Sequence, residues 1–322
     1  MQATFKKWLA NDSAASVIAL IAVVIIFSLI SPQFLTFINI QNIVVRAAIL
    51  SIVGLGMTLI IAMRALDLSV GSIMGFSAII AAELLIRGVS APLVVAGGLG
   101  AGAFLGLING ILTTLLRIPS FVATLATLSM IFGAELLITD GQTISLRAPD
   151  LNRLVVGNLF GVVPGAVVIA AVMFALMWIL FYRTPFGRHV VAIGGDLKSA
   201  VGAGINVRRV TIGAFVLIGL CAALSGLMTA AQLQNVNSTI GVGAELTAIA
   251  VVVVGGTSLS GGRGNLFGTL CAALLLSAIK SGLNIAGVSS LWEDLVFGGV
   301  LIAALIVDGL RRQTGRKGML AV

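Results

Sequence analysis

Charged residues are scarce in this sequence. Asp, Glu, Lys and Arg together make up 9% of the 322 residues, whereas apolar residues make up 59%. A soluble domain carries roughly 25% charged residues, so this chain has too few charges to cover a surface that faces water. The composition excludes a large soluble core and predicts a protein whose outer surface contacts lipid.

Groups that catalyse reactions or bind metals are also few. The only histidine, His189, lies in a basic loop and is more typical of a solvated residue than of a proton relay. The two cysteines, Cys221 and Cys271, each lie in an apolar run and form no CxxC pair, which favours buried thiols over a disulfide or a metal site. No GxxxxGK[ST], HExxH or GxSxG motif occurs. We therefore expect this chain to be neither an enzyme nor the holder of ATP or another cofactor.

Long apolar runs dominate what is present. A membrane-spanning helix needs about 20 apolar residues, and ten segments qualify, although the eighth is too short to cross alone. The eighth continues into Gly255–Gly264, which indicates a broken or re-entrant helix, because irregular backbone at membrane depth is tolerated only against protein or a cavity. The predicted spans are 14–31, 43–63, 68–86, 91–116, 121–139, 162–182, 210–231, 245–255, 265–285 and 292–308. The sequence thus predicts an all-α polytopic membrane protein, one domain over residues 1–322, with a break near 245–264.

The basic residues predict the orientation of these spans. If the N-terminus is cytoplasmic, fourteen of the 19 Lys and Arg residues fall in cytoplasmic segments, three fall outside, and Arg46 and Lys280 fall within spans. This bias predicts that both termini lie in the cytoplasm. The net charge of +8 is spread over short connections rather than one basic patch, so nucleic-acid binding is not expected.

Polar residues inside the apolar runs are candidates for a transport pathway. Acidic groups at membrane depth are costly: Asp67 could pair with Arg64 or cap the following helix, and Glu135 and Glu245 could face a pathway or lie at the interface. Uncharged polar side chains could bind the hydroxyls of a sugar or hold helices together, and Gly102 and Gly106 form a GxxxG motif that favours close packing. The candidate pathway residues are Asp67, Ser69, Asn109, Thr124, Thr127, Glu245 and Asn284.

The segment 183–209 is the most specific part of the sequence. It is predicted to be a cytoplasmic loop in which Gly194 and Gly195 form a turn, Asp196 caps a short helix over 197–203, and Gly204 ends that helix. A short helix in such a loop could bind a soluble partner or lie on the membrane surface. The candidate coupling residues are Gly187, Arg188, Gly194, Gly195, Asp196, Gly204 and Asn206.

Three stretches together resemble the permease subunits of ribose-type carbohydrate ABC importers, within the group that includes branched-chain amino-acid permeases. They are Gly56–Ser72, the Thr184–Arg209 loop, and Glu245–Thr269 with Gly282-Leu-Asn284 beyond it. The resemblance covers nearly the whole chain. It implies a type II-like permease of the bacterial inner membrane that moves a monosaccharide, polyol or related carbohydrate.

The resemblance also implies partners. Such permeases form a pore from two copies or two related chains within membrane lipid. Separate ATPase subunits bind at the cytoplasmic loop, and a periplasmic solute-binding protein delivers the solute. ATP binding then shifts the pore between outward-open and inward-open states.

The sequence departs from the family pattern at three places. Ala65-Leu66-Asp67 replaces the usual Gly-Ile-Asp, Phe132 stands before Gly133 where arginine is common, and Thr247 stands where the pattern has aspartate. These changes are consistent with an altered substrate, such as a branched-chain amino acid, an autoinducer or another small polar solute, or with one half of a heteromeric pair of permeases. An ion-driven secondary transporter is a further alternative.

Overall fold

The computed structural model describes residues 14–146, 148–159 and 161–289, together with 292, 295–296, 298–299 and 302. Twelve α-helices run through this part of the chain, together with a 3-10 turn at Pro32–Leu35, a π-helical turn at Ile179–Arg183 and several two-residue strands. The helices are α1 Ala14–Ile30, α2 Phe37–Ala62, α3 Val70–Ile86, α4 Ala91–Thr114, α5 Ser120–Thr139, α6 Pro149–Val156, α7 Gly165–Trp178, α8 Pro185–Gly195, α9 Leu197–Gly202, α10 Val207–Leu233, α11 Ala244–Val254 and α12 Leu266–Ile285. The all-α prediction is confirmed.

Nine of the ten predicted spans are helices. Six of these are long and apolar enough to cross a membrane: α2, α4, α5, the Gly165–Arg183 helix formed by α7 and the π-helical turn Ile179–Arg183, α10 and α12. Three shorter apolar helices, α1, α3 and α11, complete the set. The tenth predicted span, 292–308, lies mostly outside the described residues. Helices α2 and α10 begin at Phe37 and Val207, earlier than the predicted 43 and 210. In α2, the polar residues Asn39 and Gln41 are accommodated in the first turns.

Glycine contacts bring the central helices close together. Gly102 and Gly106 on α4 face the backbone of Gly219 and Phe215 on α10, and a side chain at any of the three glycines would overlap a carbonyl oxygen of the facing helix. The GxxxG motif therefore packs α4 against α10. Helix α10 also contacts α2 and α3, and large side chains such as Leu55 and Ile218 are fully buried in the resulting core.

One end of the bundle gathers the α2–α3 connection, the start of α5, helices α8 and α9, and residues 255–265. We call it the basic end, because Arg64, Arg188 and Arg263 lie in these segments and Arg183 and Arg208 lie directly beside them. Here the N–H of Gly262 donates to the carbonyl of Ala62 at 2.9 Å, and the Arg64 side chain donates to the carbonyl of Ser260.

The opposite end carries the segment 140–164. This segment contains α6 and two strands, 158–159 and 163–164, which pair as a hairpin. A further strand, Ile144–Ser145, pairs antiparallel with Asn235–Val236 and so ties the segment to the end of α10. The side chain of Gln41 donates to Asn158 at 2.7 Å, which anchors the hairpin to α2.

The predicted break near 245–264 is present. Helix α11 has 11 residues, which is about 16 Å at the normal helical rise, against a hydrocarbon core of about 30 Å. The chain then becomes irregular, with positive φ at Gly256, Gly261 and Gly262. The buried Thr257 donates its N–H to Val252 at 3.1 Å and accepts from the N–H of Asn265 at 3.0 Å. Protein groups thus satisfy the backbone where no helix continues.

Candidate functional site

Two helices form the predicted coupling segment at the basic end. Helix α8 begins with Pro185 at its first turn, where a missing N–H costs nothing. Asp196 follows α8 and caps α9, because its carboxylate accepts from the N–H of Ser199 at 2.7 Å. A hydrogen bond from the Ser199 side chain, together with this one from its N–H, holds the pKa of Asp196 below its usual value. The predicted cap is confirmed, and α9 ends before Gly204, which has a φ of 78°.

The predicted turn at Gly194 and Gly195 is wrong. Both residues belong to the last turn of α8, and the buried Gly194 lies directly against the carbonyl of Ala62 and the N–H of Gly262. Glycine is present there because the helix backbone approaches a neighbouring segment too closely for a side chain. Gly195, in contrast, has open space around its missing Cβ.

The other candidate coupling residues divide into a buried and an exposed group. Gly187 is buried against the backbone of Phe181, whereas Arg188, Asp196, Gly204 and Asn206 are exposed. Asn206 caps α10 by accepting from the N–H of Arg209 at 3.0 Å. Two apolar side chains of α9 are exposed, Leu197 at 52% and Val201 at 59%. Positions 197 and 201 are one helical turn apart and share a face.

Five of the seven candidate pathway residues meet in one buried cluster. Asp67 accepts from the N–H and the hydroxyl of Ser69 at 2.8 and 2.7 Å. The Asn109 amide donates to the Ser69 hydroxyl at 2.8 Å, and the Thr127 hydroxyl donates to the Asn109 carbonyl oxygen at 2.8 Å. Thr124 accepts from the N–H of Leu68 at 3.0 Å. The cluster links α3, α4 and α5.

The side chains of this cluster are almost completely buried. Asp67, Ser69, Asn109 and Thr124 are all 0% exposed and Thr127 is 7% exposed, so these side chains hold helices together. Asp67 makes no ion pair with Arg64 within the described residues, and it does not cap α3, because its hydrogen bonds go to Ser69 just before the helix. One of its oxygens, Oδ2, is buried without a hydrogen-bond partner.

The remaining two candidates lie elsewhere. Asn284 is exposed near the end of α12. Glu245 is in the first turn of α11, where its carboxylate approaches Gly71 of α3. The structure therefore does not gather all seven residues around one space, and their role in transport stays a prediction.

Two cavities lie on either side of the Gly241–Gly243 turn, which lines both. The larger, of about 420 Å³, lies among α2, α10, α11 and α12 and includes Arg46, Lys280, Thr229, Gln232, Thr247 and Ser277 in its lining. The smaller, of about 230 Å³, lies between α3, α5 and the 238–245 segment and is lined by Glu135, Glu245, Ser72 and Ser238 among others. The first lining therefore contains basic residues and the second contains acidic ones.

The permease family described as "Branched-chain amino acid transport system / permease component" matches residues 39–305. This chain belongs to that family. Among curated relatives it is 36% identical over 311 residues to the ribose import permease protein RbsC of Escherichia coli K12, which covers 95% of this chain and 96% of the relative. It is 39% identical to RbsC of Bacillus subtilis, covering 90% and 91%. It is 35% identical to the galactofuranose transporter permease protein YtfT of E. coli K12, covering 91% and 89%.

A solved structure titled PsaBC from Streptococcus pneumoniae in complex with Fab aligns with a TM-score of 0.47 and 17% identity. The alignment covers 82% of this chain and 90% of that chain.

The family membership places this permease in a membrane as a multi-pass protein, and it agrees with the apolar helices. The residues that sequence reasoning missed are Arg46 and Lys280, which were identified only as charges within spans. Both line the larger cavity. Their signal was present in the sequence, because a charged side chain within a span is costly and tends to face a cavity or a partner.

Proposed function

We propose that this permease is the membrane-spanning subunit of an ATP-binding-cassette importer that carries a monosaccharide or related carbohydrate across the bacterial inner membrane. The observation that carries the proposal is the 36% identity to a ribose import permease over 95% of the chain. Relatives named for galactofuranose and for D-allose transport, at 35% and 33% identity, support a sugar as the solute. The ion-driven alternative has no comparable support.

The partners in this proposal are two ATPase subunits, a periplasmic solute-binding protein and a second permease chain, identical or paralogous. The basic end would be cytoplasmic, with both termini on that side, and α8 and α9 would bind the ATPases. The exposed apolar pair Leu197 and Val201 supports a binding surface there, because apolar side chains on a charged cytoplasmic face gain stability from burial in a partner. ATP hydrolysis would take place entirely on the partner chains.

Reconstitution in proteoliposomes tests the proposal. The full-length permease is combined with candidate ATPase and solute-binding protein partners, and uptake of labelled D-ribose, D-allose and D-galactose is measured with and without ATP. We expect uptake that requires both ATP and the ATPase. Uptake driven by an ion gradient without the ATPase would overturn the proposal.

The coupling surface is tested separately. Leu197→Asn should release the ATPase from the detergent-solubilised complex, whereas Val162→Asn, an exposed apolar residue at the opposite end, should retain it. Equal retention of the ATPase by both variants would contradict a role of α9 in docking.

A second solute class is favoured by one relative. The autoinducer 2 import system permease protein LsrC of Photorhabdus luminescens is 36% identical over 302 residues, covering 94% of this chain and 91% of the relative. Competition in the same uptake assay separates the two solute classes. Autoinducer 2 that displaces labelled sugar at lower concentration than any monosaccharide would favour the second.

A further inference from the structure

The larger cavity has an unusual charge for a space inside a membrane protein. Arg46 lies about 14 Å along α2 from its first residue, and Lys280 lies about 8 Å before the end of α12. Both line the cavity, and none of its described lining residues is acidic. We call this space the basic cavity.

The neighbours of Arg46 make its position informative. Ile49, Leu50 and Val53 line the same cavity from α2, since positions 46, 49, 50 and 53 share one helical face. A cation on an otherwise apolar face is costly in a membrane and indicates a functional position with an anionic partner. The Arg46 side chain is exposed rather than enclosed by protein, so its guanidinium remains accessible from the cavity.

Neutral polar groups complete the lining. Thr229 and Gln232 come from α10, Thr247 from α11 and Ser277 from α12. Hydroxyl and amide groups of this kind can bind the hydroxyls of a carbohydrate. Thr247 is a neutral member of this lining. The smaller cavity contains Glu135 and Glu245 and no basic residue among its described lining, so it offers an anion no cationic partner.

We propose that the basic cavity binds an anionic oxygen group, a carboxylate or a phosphate, through Arg46, while the neutral polar lining contacts the hydroxyl-bearing remainder of the ligand. When the anionic group belongs to a transported solute, the substrate is an acidic sugar. This assignment of the substrate rests on the proposed function. The same chemistry could come from the headgroup of an anionic lipid. Arginine and lysine both bind such oxygens, arginine with two parallel hydrogen bonds.

The charge of the cavity can be measured on the permease alone. Thr247→Cys places a thiol in the lining, and the two native cysteines are 1% and 7% exposed. The full-length variant, in phosphatidylcholine nanodiscs, is treated with the anionic reagent MTSES and the cationic reagent MTSET, and the ratio of the two rates is determined. We expect the MTSES-to-MTSET rate ratio in Thr247→Cys to be higher than that in Val162→Cys, which places a thiol at an exposed position. Arg46→Gln should lower the ratio at least about fivefold, as expected for loss of one nearby charge at low effective dielectric constant.

Matched variants separate charge from misfolding. Arg46→Lys keeps the charge and should keep the ratio, whereas Arg153→Gln removes an exposed charge of α6 outside the lining and should leave it within about twofold. A ratio that is the same in Arg46→Gln and in the parent would overturn the proposal, as would a preference for MTSET in the parent.

Protection of the thiol identifies the ligand chemistry. In Thr247→Cys, D-glucuronate should slow modification of the thiol at least about threefold, whereas equimolar D-glucose should not. Adding Arg46→Gln should abolish the protection by D-glucuronate. Protection by added phosphatidylglycerol but not by D-glucuronate would assign the site to lipid and overturn the acidic-sugar substrate. Protection by neither anion, or equally by D-glucose, would overturn the anion site. Because none of these measurements involves ATP or uptake, their failure is distinguishable from failure of the proposed function.

Discussion

Gly194 of α8 lies against the backbone of Ala62 at the end of α2. The carbonyl oxygen of Ala62 accepts the N–H of Gly262 at 2.9 Å, and a Cβ on Gly194 would overlap that oxygen. Three segments distant in sequence therefore meet at one point: the coupling helices, the end of a central span and the irregular stretch after α11. Helix α8 is thus in direct contact with the two segments that lead into the membrane, so a movement of α8 would act on both.

Gly194→Ala should weaken this junction. The added methyl group has no space, and overpacking of this kind costs about 1–3 kcal/mol. We expect a lower midpoint of thermal unfolding in detergent and, in the reconstituted importer, ATP hydrolysis that is no longer matched by uptake. Gly195→Ala is the control, because nothing lies within 4 Å of its added Cβ. Equal behaviour of the two variants would show that the close contact does not matter.

The contact between α4 and α10 predicts opposite effects on stability for two glycine substitutions in α4. Gly106→Ala would push a methyl group into the backbone of Phe215 and should lower the free energy of unfolding by about 1–3 kcal/mol. Gly100→Ala lies on the same helix with open space around it, so it should be neutral or stabilise by up to about 1 kcal/mol, because alanine favours the helix. Unfolding in SDS measures both. A stabilising Gly106→Ala would contradict the packing.

The spans could be predicted from the sequence because each long apolar run has one way to satisfy its backbone in lipid. The cap at Asp196 could be predicted because an aspartate before a short helix satisfies N–H groups within a few residues of itself. Both signals are local, so no knowledge of the tertiary structure was needed.

The buried cluster and the basic cavity could not be predicted in this way. Asn109 meets Ser69 and Thr127 only because three helices pack together, and many other polar residues in spans have the same local pattern. Gly194 looked like a turn because two adjacent glycines usually form one. Only the packing against Ala62 reveals that glycine is needed there inside a helix.

Asn109→Ala tests the structural role of the buried cluster. It would leave the hydroxyls of Ser69 and Thr127 without their hydrogen bonds to the amide, and buried groups that lose a partner cost about 1–3 kcal/mol, toward the lower end in membranes. We expect a loss of about 1–2 kcal/mol in SDS unfolding. Asn284→Ala, at an exposed position, should change stability by less than about 0.5 kcal/mol. An Asn109 variant of unchanged stability but impaired sugar uptake would instead favour a pathway role.

The cap at Asp196 should depend on pH. Hydrogen bonds from Ser199 lower the pKa of this carboxyl below its usual value of 3.8. A lowered folded-state pKa means that the stabilisation is fully present above pH 3.8 and is lost as the pH falls through the folded-state value. Hydrogen exchange of the peptide covering 197–203 should therefore be faster in Asp196→Ala than in the parent at pH 6, and the difference should shrink as the pH falls below 3.8. Asp196→Asn, which keeps an accepting oxygen, should retain part of the protection at both pH values. A difference between Asp196→Ala and the parent that is independent of pH would show that the charge of Asp196 contributes nothing to the cap.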